Sequence, residues 1–95
     1  MSVTVFIPTA LRAFTERKSE IDVGTVATVE EAIRQLTDRY PAITDYVFAS
    51  DGQLKRFINV FVGEENIKDR DGIKTALKEG DRISLIPAIA GGADE

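Results

Sequence analysis

Apolar positions along the chain repeat with two periods, near two and near 3.6. Val3-Thr4-Val5-Phe6-Ile7 is rich in β-branched residues, alternates imperfectly and stops at Pro8, so it predicts a strand. A polar connection from Pro8 to Ser19 follows, with Leu11 and Phe14 as its expected anchors. Glu20-Ile21-Asp22-Val23 alternates and closes on Gly24, which makes a hairpin with a long loop. The period then changes. Val29, Ala32, Ile33, Leu36 and Tyr40 recur at helical spacing, Thr28 and Glu31 form a capping-box pair, and Pro41 stops the helix. Between Ala42 and Lys55 the pattern is irregular, with a helical turn at Ile43, Val47 and Phe48 and a bend at Asp51-Gly52.

Phe57-Ile58-Asn59-Val60-Phe61-Val62 is the clearest strand, and Gly63-Glu64-Glu65-Asn66 is a polar turn leading to a short return strand at Ile67. Ile73, Ala76 and Leu77 predict a short helical turn. Gly80-Asp81 then turns the chain into a last strand, Arg82-Ile83-Ser84-Leu85-Ile86, which Pro87 ends. The order strand, strand, helix, strand, short strand, strand fits an α+β β-grasp, a mixed sheet of four to five strands around one main helix. A ferredoxin-like sandwich competes, but it needs a second full helix, and Ile73 to Leu77 is too short for one. The expected division is a domain over residues 1–87 and a tail over residues 88–95.

Strand parity adds a face. If Val3, Val5, Ile58, Val60, Val62, Ile83 and Leu85 pack on the helix, then Phe6, Phe57, Asn59, Phe61, Ser84 and Ile86 point outward. Phe6, Phe57, Phe61 and Ile86 are then a candidate partner-docking face. The alternative is that Phe57 or Phe61 lies under residues 42–55 or under the tail.

Composition narrows the chemistry. Ninety-five residues make one small domain, which buries roughly two-thirds of its unfolded surface and leaves little room for an enclosed substrate pocket. The chain has no Cys and no His, which excludes disulfides, thiolate and imidazole metal ligands, a Cys nucleophile and a His base. Asp51, Asp69 and Asp71 lack the spacing of a calcium loop, so no metal site is expected. Twelve Lys+Arg against 16 Asp+Glu give a net charge of −4 with no basic block, which argues against nucleic acid as a partner. No charged-then-apolar leader and no apolar run near about 18 residues occurs, so no membrane partner is expected and the cytoplasm is the expected compartment. Glu30, Glu31, Arg34, Asp38 and Arg39 read as the solvated side of the helix, and Glu64 and Glu65 as turn residues. No catalytic residue is assigned.

The tail, Ala88-Ile89-Ala90-Gly91-Gly92-Ala93-Asp94-Glu95, carries the remaining signal. Taken alone it is a terminal segment like many others. Paired glycines can also thread a narrow channel, because they lack a Cβ. From Leu77 through the Gly80-Asp81 turn, the Arg82-to-Pro87 strand and Gly91-Gly92, the chain resembles the C-terminal stretch of the MoaD/ThiS family of ubiquitin-like sulfur carriers. Val3-to-Thr9 and Arg56-to-Val62 also resemble that family, most closely its cysteine-biosynthesis carriers of the CysO type. The resemblance covers essentially the whole domain. It implies that Gly92 is the residue whose carboxylate is adenylated and converted to a thiocarboxylate, with Gly91 and Ala90 as flexible tail. No cofactor would be bound, and ATP would be consumed by a partner adenylating enzyme. Because Ala93-Asp94-Glu95 follows Gly92, the resemblance also implies cleavage between Gly92 and Ala93, as by a JAMM-type metalloprotease. The sulfur acceptor would be a synthase, pyridoxal-phosphate dependent if the product is an amino acid such as cysteine or homocysteine. Two other functions remain open at this point: a ubiquitin-like modifier joined to lysines through Gly92, and a non-covalent β-grasp interaction module.

Overall fold

The computed structural model describes residues 2–87; the expected tail, with Ala90, Gly91, Gly92 and Ala93, lies outside the described residues. Five strands form one mixed sheet: β1 (Val3–Phe6), β2 (Glu20–Gly24), β3 (Ile58–Val62), β4 (Glu65–Asn66) and β5 (Arg82–Pro87), in the order β2-β1-β5-β3-β4. β1 and β5 run parallel at the centre and every other pairing is antiparallel. Helix α1 (Val29–Arg39) crosses between β2 and β3, and a one-turn helix, α2 (Thr44–Val47), follows it. This is the β-grasp arrangement expected from the order of elements.

Alternation along the strands decides what is buried. Val3, Val5, Ile58, Val60, Ile83 and Leu85 share one core with Val29, Ala32, Ile33 and Leu36 of α1. The helix starts where the sequence predicts. Thr28 Oγ1 accepts from the Glu31 N–H at 3.3 Å, and Glu31 Oε1 accepts from the Ala27 N–H at 3.0 Å. The second bond lands one residue earlier than in the usual capping box, so the Glu31 carboxylate braces the entry to the helix. At the far end Arg39 Nη1 donates to the Asp22 carbonyl at 2.6 Å, which covers an outward acceptor of the edge strand β2.

Three segments differ from expectation, and the helical turn expected at Ile43, Val47 and Phe48 is present, with Phe48 as its cap. Residues Thr9–Phe14 form a 3₁₀ helix where a polar loop is expected. Leu11 and Phe14 are three apart, the period of that helix, so both reach the core from one side. After Pro41 the chain makes a 3₁₀ turn, Pro41–Ile43, that rolls into α2, and Ile43 and Val47 are fully buried one helical turn apart. The return strand is Glu65–Asn66 and excludes Ile67, because Asn66 Oδ1 accepts from the Lys68 N–H at 2.9 Å and starts a 3₁₀ turn, Ile67–Asp69. The helical turn expected through Ala76 and Leu77 stops at Lys74. The buried Thr75 hydroxyl donates to the Gly72 carbonyl at 2.6 Å, and exposed Ala76 instead bridges to Thr28.

Two carboxylates are held below the usual carboxylate range. Glu30 is held there first by Lys74 Nζ at 2.7 Å and then by Arg34 Nη2 at 3.2 Å, so it ties α1 to the Gly72–Lys74 turn. Asp22 is held first by the Gly24 N–H and then by the Ser2 hydroxyl, each at 2.8 Å. A depressed folded pKa contributes stability that is complete above the unfolded value and lost as pH falls through the folded one. With no His in the chain, the melting temperature is expected to be flat from about pH 6 to 8 and to fall below about pH 4. Circular dichroism melts across that range check this, and Glu30→Gln should make the acid limb shallower.

Candidate functional site

Everything that the tail can present begins at Pro87. Pro87 lies opposite Ile58, so β5 delivers the chain at the end of the sheet where β3 starts. Gly92 is five residues further on, a reach of at most about 17 Å for an extended chain. Gly92, Gly91, Ala90 and Ala93 lie outside the described residues; the sheet that ends at Pro87 is described.

The outer face of that sheet carries the expected docking residues. Register places Phe6 and Phe61 on either side of Ser84, and Ile86 beside Asn59. Phe57 stands one residue ahead of β3, next to the root of the tail. Ile86 is 46% exposed and Phe57 40%. Phe6 and Phe61 are half-buried by their neighbours in the sheet. The structure thus brings Phe6, Phe61 and Ile86 onto one side, while Phe57 lies in the turn just ahead of β3, where residues 42–55 leave it exposed. The apolar side chains are spaced by Ser84 and Asn59, small polar groups that leave the rings standing above the sheet.

Two cations go with the rings. The Arg82 guanidinium sits 5.3 Å from the Phe6 ring centroid and the Lys55 ammonium 5.7 Å from that of Phe57. Such contacts stabilise the cation over the ring face, so the patch is both apolar and locally positive. Strand parity carried one residue further could have found Arg82, which shares the outward side of β5 with Ser84 and Ile86. Lys55 lies outside the strands, three residues before β3. Its backbone is fixed by Lys55 N to Val47 O at 2.9 Å and by a turn contact, Ile58 N to Lys55 O, at 3.1 Å, in a stretch with no alternation to read.

A second aromatic contact joins the Thr9–Phe14 helix to α2: Phe14 and Tyr46 have ring centroids 4.5 Å apart, and Tyr46 is 43% exposed. The acidic residues set aside from the sequence remain at the surface, and Glu65 pairs with Arg70 at 3.2 Å. No group of three or more side chains that could hold a metal ion occurs among the described residues. No described helix is long and apolar enough to cross a membrane. The arrangement presents one partly apolar, locally positive face on the side of the sheet away from the helix, with β5 ending at Pro87 opposite Ile58.

The profile of the ThiS family matches residues 5–92. The chain is 35% identical over 94 residues to the sulfur carrier protein CysO of Mycobacterium tuberculosis, covering 97% of this chain and 100% of that protein. It is 35% identical over 66 residues to small archaeal modifier protein 3 of Haloferax volcanii, covering 70% of this chain and 71% of the relative. Among solved structures it is similar to a chain of the Amycolatopsis orientalis BexX/CysO complex, with a TM-score of 0.85 and 36% identity over 96% of this chain and 100% of that one.

Proposed function

The chain belongs to the ThiS family, and from that membership we propose that it works as a sulfur carrier, a protein co-substrate rather than an enzyme, whose reactive group is the Gly92 carboxylate. The observation that carries this reading is that the family profile extends to residue 92, the second glycine of the pair that follows β5.

The chemistry follows from the carboxylate. It resists nucleophiles until one oxygen becomes a leaving group. A partner adenylating enzyme would let a Gly92 oxygen attack the α-phosphorus of ATP, expelling pyrophosphate. A sulfur nucleophile would then attack the carbonyl carbon, and AMP would leave with the C–O electron pair. The carrier gains a thiocarboxylate and needs no thiol of its own. The Gly92–Ala93 peptide bond must first be hydrolysed, a task suited to a JAMM-type zinc protease. The face formed by Phe6, Phe57, Phe61 and Ile86 would seat the adenylating enzyme and later a sulfur-accepting synthase, pyridoxal-phosphate dependent if the product is cysteine or homocysteine. The likeness to CysO proteins favours cysteine-type biosynthesis, and one such protein is found in complex with BexX.

The modifier reading has its own support in the likeness to small archaeal modifier protein 3. Intact mass separates the two. Protein purified from its native cells is expected to end at Gly92 and to carry a gain of about 16 Da, the difference between sulfur and oxygen. Growth with a zinc chelator should preserve the chain through Glu95. Gly-Gly remnants on lysines of other proteins, with no sulfur increment, would favour the modifier. Only the chain through Glu95, under active sulfur assimilation, would sink both and leave an interaction module. In the same assay Phe57→Ser with Ile86→Asp should lower the sulfur-bearing fraction; an unchanged fraction would remove the docking role of that face.

A further inference from the structure

A concavity is lined by Thr9, Arg12, Ala13, Glu16 and Arg17, on and just after the 3₁₀ helix that follows β1. Its place follows from topology. β1 and β5 are parallel with Phe6 opposite Ser84, so the Thr9–Phe14 helix that follows β1 comes out at the same end of the sheet as Pro87. Arg12 is oriented by a contact with the end of β1, Nε donating to the Ile7 carbonyl at 3.1 Å, which leaves its terminal nitrogens for another acceptor. Arg12 and Arg17 have no acidic partner among the described residues, while Glu16, the one carboxylate of the concavity, lies 3.9 Å from Lys18 Nζ. Two guanidinium groups, with one carboxylate between them in sequence, thus line a single concavity on a chain whose net charge is −4.

The backbone that displays them is strained. Glu16 and Arg17 have φ of 56° and 65°, a region where L-residues are costly and glycine is not. Arg17 N–H donates to the Arg12 carbonyl at 2.7 Å, and Lys18 N–H to the Thr15 carbonyl at 3.0 Å. The buried Thr15 hydroxyl lies 3.3 Å from the Arg12 carbonyl and 3.1 Å from that of Lys18. These contacts lock the turn with side chains where a mere connection would take glycine. Strain of this kind persists where surrounding contacts over-determine it, and such positions cluster at functional sites.

We propose that Arg12 and Arg17 form a recognition site for a carboxylate-bearing loop on the rim of the adenylating enzyme that takes the tail. The proposal rests on the carrier reading. An enzyme that draws Gly92 into its channel must bring its rim against this end of the sheet, because the tail spans at most about 17 Å. Guanidinium forks match carboxylates in bidentate geometry.

The test is ATP–pyrophosphate exchange with the chain ending at Gly92 and its adenylating enzyme. Arg17→Glu is expected to raise KM about tenfold with kcat unchanged, a gap that closes between about 50 and 500 mM salt. Arg17→Gly, which relaxes the positive φ, should raise KM likewise while its melting temperature stays the same or rises, so loss of folding does not explain the result. Lys68→Glu, an exposed charge on the turn after β4, should leave KM unchanged. Unchanged KM for Arg17→Glu and Arg12→Ala, with normal exchange by the parent chain, overturns the inference alone. No exchange by the parent chain overturns the carrier reading and this inference with it. Competition by inorganic phosphate beyond that of chloride at equal ionic strength, lost in Arg17→Glu, would assign the concavity to a free oxyanion and overturn the protein-loop partner.

Discussion

A chain that stops at Gly91 is expected to form no detectable thiocarboxylate, while its melting temperature stays within about 2 °C of that of the chain ending at Gly92. The described fold closes where Pro87 pairs with Ile58, upstream of the deletion, so stability should not carry the loss. Removing one residue withdraws the terminal carboxylate by about 3.3–3.6 Å from the position it must reach. A misplacement of about 1 Å costs on the order of a hundredfold where reacting groups must be aligned, so a shift of one residue should cost at least about a thousandfold. Intact mass after incubation with the adenylating enzyme, ATP and a sulfur source gives the readout. Normal sulfur loading of the shortened chain would show that Gly92 is not the reactive residue.

The sheet was legible in the sequence because alternation is a strong signal when one face is buried. Val3, Val5, Ile58, Val60, Ile83 and Leu85 are all at most 2% exposed, on the side that parity assigned. Helix α1 was legible for the same reason, with Thr28 and Pro41 as local punctuation. The turn at Ile43 and Val47 was legible as well, whereas the 3₁₀ form of Thr9–Phe14 was not. Leu11 and Phe14 are a single pair too short to define a period, and they are ordered by packing on the core. The Glu16-Arg17 turn gives no sequence signal, since neither residue favours a positive φ; the buried Thr15 network imposes it. Around the site, Phe6, Phe61 and Ile86 followed from parity, whereas Lys55 and Arg12 acquire their positions from irregular turns that have no repeating pattern. Gly92 lies outside the described residues, so its role stands on the Gly-Gly pattern and on the family match.

Folding and docking make opposite demands on neighbouring residues of β5, and temperature should separate them. Ile83 is fully buried, with Val5 opposite it on one side and Val62 on the other. Truncating such a residue loses its transfer free energy and leaves a cavity, so Ile83→Ala is expected to cost about 3 kcal/mol. A domain of this size has a total stability of roughly 5–14 kcal/mol. The melting temperature should drop by about 15 °C. Ile86, three residues on and 46% exposed, should lose only about 1 kcal/mol on truncation to Ala, because nearly half of it stays in water in the folded state and its loss leaves no enclosed cavity. Thermal melts of the two variants check the assignment of faces, and equal losses would refute it. The functional consequences then diverge. Ile83→Ala should load sulfur poorly near 37 °C and recover near 15 °C, where stability curves are close to their maximum. Ile86→Asp should remain impaired at both temperatures, because its defect lies in meeting the partner and not in reaching the folded state. If cooling rescued both variants alike, the outer face would be shown to act through stability, and the docking role of Ile86 would fall.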